Sequence, residues 1–260
     1  MSTLALITGA SGGIGLELAR EMAKAGHSLV LVARSREKLE ALALELSRQY
    51  GTISHVVDLD LSRPESALEL YNQCQTRGLA PEILVNNAGF GETGPVVAQD
   101  PHIIHEMIHL NIETLTLLCR YFAADFVAKK SGRILNVAST AAFQPGPYFA
   151  VYYATKAYVL SFSEALEEEL RGTGVTVTTL CPGPTLSGFQ ERAHLSSSAA
   201  MISVPWLMNA HEVAVLGYKA LKKGCGTSIT GFMNWLVAFS NRFAPRRLST
   251  HLAGRLNRAR

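Results

Sequence analysis

The sequence predicts an α/β fold: one doubly wound parallel sheet with helices on both faces. Three observations predict it. Short apolar runs alternate with helix-period segments from residue 4 to about 230, and that alternation is the signature of a parallel sheet covered on both sides. The first apolar run leads straight into a glycine-rich turn and then a helix. The length of 260 residues suits one domain of this class.

Leu4-Ala5-Leu6-Ile7 reads as a buried strand. Thr8-Gly9-Ala10-Ser11-Gly12-Gly13-Ile14-Gly15 follows, then an apolar helical pattern closed by Gly26. Strand, glycine turn and helix fit a dinucleotide site, because glycines let the backbone approach a pyrophosphate and the helix N-terminus favours its charge. A tight turn without a ligand has the same letters. The second strand, Ser28 to Ala33, ends with Ala33 where an acid would bind a ribose 2′-hydroxyl, and Arg34 follows. A guanidinium suits a 2′-phosphate, so NADP is favoured over NAD. Arg34, Arg36 and Lys38 could otherwise be surface charges of the helix from Glu37 to Tyr50.

A third strand, Ile53 to Val57, runs into Asp58-Leu59-Asp60-Leu61-Ser62. Ser62 and Glu65 have capping-box spacing, with Pro64 in the first turn of a helix reaching Gly78. Ile83-Leu84-Val85 enters Asn86-Asn87-Ala88-Gly89, either a turn or the lining of a ligand crevice. Residues 102–129 read as one long helix, with Asn111 between Leu110 and Ile112 as a satisfied core amide, a kink or a site residue. The strand Arg133 to Ala138 ends at Ser139, and an aromatic Pro/Gly loop, Phe143 to Ala150, follows. Next comes a helix carrying Tyr152 and Lys156. Residues four apart share a helix face, and a nearby ammonium lowers a phenol's pKa towards the range useful for proton transfer. Val175 to Leu180 is a strand ending in Cys181-Pro182-Gly183-Pro184-Thr185. The pattern breaks down over 186–209, as a lid beside a crevice would. A helix from His211 to Lys223 and a strand from Thr227 to Thr230 complete the domain at about residue 231.

In that order the motifs resemble the short-chain dehydrogenase/reductase family, over about residues 3–231. The resemblance implies a Rossmann fold and hydride transfer between NADP(H) and a hydrophobic ketone or aldehyde and its alcohol. It implies cofactor contacts at Gly9, Ser11, Gly13, Ile14, Gly15, Asp60, Leu61, Asn87, Ala88, Gly89, Pro182, Gly183 and Thr185, with Arg34 selecting NADP. Asn111, Ser139, Tyr152 and Lys156 match the catalytic tetrad. Tyr152 donates the proton, Ser139 binds the substrate oxygen, Lys156 lowers the Tyr152 pKa and holds the ribose, and Asn111 positions a water. Ser187 stands where many members carry a second threonine. Phe90, Phe143, Tyr148 and Phe149 are candidate substrate walls or core aromatics. The alternatives are a 3-oxoacyl-thioester reductase and a non-catalytic cofactor sensor; the complete tetrad argues against the latter. The family also implies a homo-oligomer through the helices at 102–129 and 151–172.

Composition narrows the rest. Four dispersed cysteines argue against a disulfide frame or zinc site and fit a reducing, cytoplasmic setting. His105 and His109 lack a metal-binding context, so no metal is expected. Met1 leads almost directly into a strand, without the pattern of a secretory signal. No basic footprint for nucleic acid runs through the chain. The extension from Phe232 to Arg260 holds six arginines and no acid. Its apolar residues Phe232, Trp235, Leu236, Phe239 and Phe243, then Leu248, Leu252 and Leu256, recur at helical spacing around Pro245. Packing against protein is favoured over contact with an anionic bilayer.

Overall fold

A computed structural model describes residues 3–186, 189 and 204–258. The chain opens β1 (Leu4–Thr8), α1 (Gly13–Lys24), β2 (Ser28–Ala33), α2 (Arg36–Tyr50), β3 (Ser54–Asp58), α3 (Ser66–Thr76) and β4 (Ile83–Asn86). It continues α4 (Pro101–Ile108), α5 (Leu115–Ala128), β5 (Gly132–Val137), α6 (Ala150–Glu169) and β6 (Val175–Cys181). Then come β7 (Thr185–Leu186), β8 (Met208–Asn209), α7 (Ala210–Lys223), β9 (Thr227–Ile229), α8 (Phe232–Ser240) and α9 (Arg246–Asn257).

Seven strands form one sheet in the order β3-β2-β1-β4-β5-β6-β9, every neighbour parallel. Alternate strand residues face opposite sides, so the sheet builds two cores. Leu6, Val30, Val32, Leu84 and Ile134 meet α3–α6. Ala5, Ile7, Leu29, Leu31, Val85 and Leu135 meet α1, α2 and α7. Strands buried on both faces explain the unbroken apolar runs. The chain reverses its direction across the sheet between β1 and β4. Such a switch point leaves a crevice at the carboxyl ends of the strands.

Two local expectations are corrected. Ser62 does not cap α3: its amide and hydroxyl both donate to Asp60 Oδ1, at 3.0 and 2.6 Å. That nearby carboxylate outcompetes the helix end, and the helix starts after Glu65, which adopts φ 61°. The expected single helix over 102–129 is two helices joined by a π-helical turn, His109–Thr114, that contains Asn111. Such a turn widens the helix locally and often marks a functional position.

The extension divides into an inner and an outer face. Pro245 does divide it into two helices, but the apolar stripe of α8 does not cover this chain's core. The inward face of α8 is Asn234 and Ala238, while Phe232 and Phe243 are 73% and 76% exposed. A Cβ on Gly183 would stand 2.3 Å from the Asn234 side chain, so only a thin face can approach this backbone.

Candidate active site

The glycine turn is built by close approach. Gly9 has φ 68° and Gly13 φ 54°, left-handed conformations that favour glycine. A Cβ on Gly15 would meet Gly9 O at 2.3 Å and Asn87 Nδ2 at 2.4 Å, whereas the space around Gly12 is open. Asn87 holds the turn: its Nδ2 donates to Thr8 O and Gly9 O at 3.0 and 3.2 Å. Thr8 Oγ1 in turn accepts from the amides of Asn87 and Ala88, both at 3.0 Å, and donates to Val85 O. Thr8 thus fastens β1 to the end of β4, a role visible in the sequence only as a hydroxyl closing an apolar strand.

One cavity of about 640 Å³ runs from this turn past the ends of β4 and β5 to the helices of the extension. Its volume falls in the range of small-molecule sites. It is lined by Gly9, Ser11, Gly13, Ile14, Arg34, Asp60, Leu61, Asn87, Ala88, Gly89, Ser139, Tyr152, Lys156, Pro182, Gly183 and Thr185. Gly15 packs behind it. Arg34 lies 4.0 Å from Asp60 and is half exposed; Lys38 lines the same end. Arg36 instead pairs with Glu40 and Asp58. Open space at Gly12, a helix N-terminus and a cationic end fit a dinucleotide carrying an extra phosphate.

At the other end α6 presents Tyr152 and Lys156 one turn apart, both buried. Ser139 Oγ donates to Pro182 O at 3.4 Å and accepts from Ala141 N at 3.1 Å, and it lines the same cavity as the Tyr152 phenol. Lys156 Nζ donates to Val137 O at 2.8 Å and lies 5.8 Å from the centre of the Tyr152 ring. Burial pushes the Lys156 ammonium down to about 8. Burial also pushes the Tyr152 phenol well above its usual value, and the nearby Ser139 hydroxyl opposes this only in part. Within this chain the net effect is therefore opposite to the lowering expected from Lys156. Desolvation dominates, and Tyr152 keeps its proton.

The Asn111 side chain makes three hydrogen bonds. Its Nδ2 donates to Phe90 O and Thr155 Oγ1, at 2.9 and 3.0 Å, and its Oδ1 accepts from Phe90 N at 3.1 Å. It ties the loop after β4 to α6. His109 is also structural, bonded to Glu113 and Arg63 O.

The expected substrate walls separate. Phe149 lines the cavity and stacks on Tyr152, centroids 4.6 Å apart. Phe90 and Phe143 pack in or against the core and do not line it. Tyr148, at φ 63°, turns outward to meet Arg258. The walls that sequence reasoning missed include Tyr153, Asn234, Val237, Leu256 and Asn257. Asn257 accepts a hydrogen bond from Tyr153 Oη and donates to Pro147 O. The only signal for Asn234 and Asn257 was a polar residue interrupting an apolar stripe. Of the expected lid, Phe189, Val204, Trp206 and Leu207 line the cavity; β7 and β8 pair where it leaves and rejoins the domain. Ser187 and most of the lid lie outside the described residues.

The chain matches the family profile of short chain dehydrogenases over residues 3–196. It belongs to the short-chain dehydrogenase/reductase family. It is 34% identical over 240 residues to a very-long-chain 3-oxoacyl-CoA reductase of Anas platyrhynchos, covering 90% of this chain and 74% of that protein. It is 34% identical over 186 residues to 17-beta-hydroxysteroid dehydrogenase type 3 of Homo sapiens, covering 70% of this chain but 59% of that protein. The chain thus spans about three quarters of the first relative and about three fifths of the second. A short-chain dehydrogenase from Sphingobium yanoikuyae, solved in complex with NADPH, superposes with a TM-score of 0.82 at 32% identity, covering 93% of this chain and 94% of that one. As a short-chain dehydrogenase/reductase, the protein is an oxidoreductase that acts on CH–OH groups and binds a nicotinamide cofactor.

Proposed function

We propose that the protein reduces a hydrophobic ketone or aldehyde to its alcohol with NADPH. The observation that carries this reading is the single cavity joining Arg34 and Lys38 at one end to a protonated Tyr152 between apolar walls at the other. Gly9, Ser11, Gly13, Ile14, Asp60, Leu61, Asn87–Gly89 and Pro182–Thr185 would hold the cofactor, with Arg34 on the 2′-phosphate. Bound NADPH supplies the hydride that adds to the carbonyl carbon.

The protein's own groups then govern the proton. Tyr152 donates its phenolic proton to the carbonyl oxygen, and the Ser139 hydroxyl hydrogen-bonds that oxygen as charge develops. Lys156, mostly charged at neutral pH, stabilises the tyrosinate left behind until solvent returns a proton. Asn111 holds the loop that faces this exchange and, in this reading, one end of a water relay. Phe149 stacked on Tyr152 excludes bulk water from the phenol.

The test is NADPH absorbance with a panel of bulky ketones, aldehydes, ketosteroids and 3-oxoacyl thioesters. Turnover of the hydrophobic ketones supports the proposal; turnover of none, or a preference for small hydrophilic carbonyls, overturns it. A 3-oxoacyl-thioester reductase is the second reading. It is supported by the reductase of that name among the relatives and by Arg242 and Arg255, which neighbour the cavity residues Asn241 and Leu256. We also expect a cytoplasmic homo-oligomer formed through α5 and α6, which light scattering tests.

A further inference from the structure

The extension leaves a large apolar surface uncovered. Phe232, Trp235, Phe239 and Phe243 form a continuous ladder along one face, with successive ring centroids 6.0, 5.1 and 5.4 Å apart. All four are exposed. On α9 the outward residues Leu248, Leu252 and Leu256 are each about half exposed. Ordinary soluble surfaces scatter such residues singly; a contiguous patch marks a contact site.

Its charge narrows what the contact is. Arg242, Arg246, Arg247 and Arg255 are exposed, and none pairs with a carboxylate among the described residues. No acid occurs from Phe232 to the end of the sequence. A second copy joined through this same face by a two-fold axis would set arginine against arginine. An anionic bilayer instead offers an apolar interior for the rings and phosphate headgroups for the guanidinium groups. None of the helices among the described residues is long and apolar enough to cross a membrane, so the contact is one of lying on the surface. Val237 of α8 and Leu256 of α9 also line the catalytic cavity, which places this face beside the cavity wall.

We propose that α8 and α9 form a docking surface for an anionic lipid bilayer. The proposal does not depend on the identity of the substrate. The full chain is mixed at low salt with vesicles of phosphatidylcholine alone or with phosphatidylglycerol, and binding is read by flotation. Binding is expected only with phosphatidylglycerol, and it weakens as salt is added. The double substitution Trp235→Ser/Phe239→Ser removes two aromatic anchors and should weaken binding at least about tenfold. Arg246→Glu/Arg247→Glu changes only exposed, unpaired groups and should weaken it similarly; circular dichroism confirms that each variant is folded. Absence of binding by the folded wild type, equal binding to neutral vesicles, or binding unaffected by both double substitutions overturns the proposal. Absence of vesicle binding together with a smaller oligomer for Trp235→Ser/Phe239→Ser assigns the face to a second copy instead.

Discussion

Lys156 Nζ sits 5.8 Å from the centre of the Tyr152 ring and donates its hydrogen bond to Val137 O, not to the phenol. The two side chains share a helix face, yet burial shifts them in opposite senses: the phenol up, the ammonium down to about 8. Both shifts favour the neutral form of the group concerned. At neutral pH the site therefore holds a protonated Tyr152 beside a mostly charged Lys156, the state needed to reduce a carbonyl.

Tyr152→Phe should lower kcat by at least about a hundredfold, the range for loss of a positioned general acid. Cofactor affinity should stay close to wild type, because the ring still stacks on Phe149. Single-turnover rates and NADPH fluorescence titration measure the two separately. Activity within tenfold of wild type would remove Tyr152 from the proton step.

Lys156 predicts a coupled pattern of pH and stability. In the reductive direction kcat/KM should fall as pH rises through about 8, where the folded protein loses this charge. Stability should move the other way. The Lys156 pKa is lower in the folded chain than in the unfolded one, so between about 8 and 10.5 the unfolded state holds the proton that the folded state has released. Stability from this group therefore rises across that window and is least below pH 8. The lowering corresponds to about 3 kcal/mol, offset by about 1 kcal/mol for the hydrogen bond to Val137 O. Lys156→Met should thus be inactive but more stable than wild type at pH 7, and the difference should shrink by pH 10. Thermal melts at both pH values decide this; a destabilised variant at pH 7 would show that the hydrogen bond outweighs the cost of burying the charge.

Arg34→Asp should shift the preference from NADPH towards NADH. Loss of a charge-assisted contact costs about 1.5–3 kcal/mol, and the new acid would add to the negative charge of Asp60 nearby. The ratio of the two kcat/KM values should move at least about tenfold. An unchanged ratio would make Arg34 a surface charge.

Where the sequence and the structure part company, the causes are tertiary. The strands of the sheet and the Gly9–Gly15 turn were legible because apolar runs and φ-permissive residues act locally. Tyr152 and Lys156 were legible because helical periodicity puts them on one face. Periodicity also revealed the apolar stripe of α8, but not that its opposite face would contact the domain. That depends on Gly183 leaving room for the Asn234 side chain. Periodicity could not choose between wall and core for Phe90 and Tyr148 for a similar reason, since an aromatic in a loop can turn into the core or towards a partner such as Arg258. The sign of the Tyr152 shift needed the depth of burial, which spacing does not encode.

The contact between Gly183 and Asn234 tests whether the extension is part of the catalytic domain. Asn234 is buried, donates from Nδ2 to Thr230 O at 2.7 Å, and lies against the segment expected to hold the nicotinamide. Gly183→Ala would force a methyl to 2.3 Å from three Asn234 side-chain atoms. Overpacking of this kind typically costs about 1–3 kcal/mol. Either α8 moves away or the backbone at Pro182–Thr185 shifts, and both disturb the cavity. The expected result is a lower Tm and a raised KM for cofactor. Asn234→Gly alone removes the hydrogen bond and should also destabilise. In combination with Gly183→Ala it restores space for the methyl, so the double variant should lose less stability than the sum of the single ones, with cofactor KM returning towards wild type. Neighbouring residues in contact show such non-additivity at about 0.5–3 kcal/mol. Additive losses, with KM unchanged throughout, would mean that α8 rests on the domain without shaping the cofactor end of the cavity.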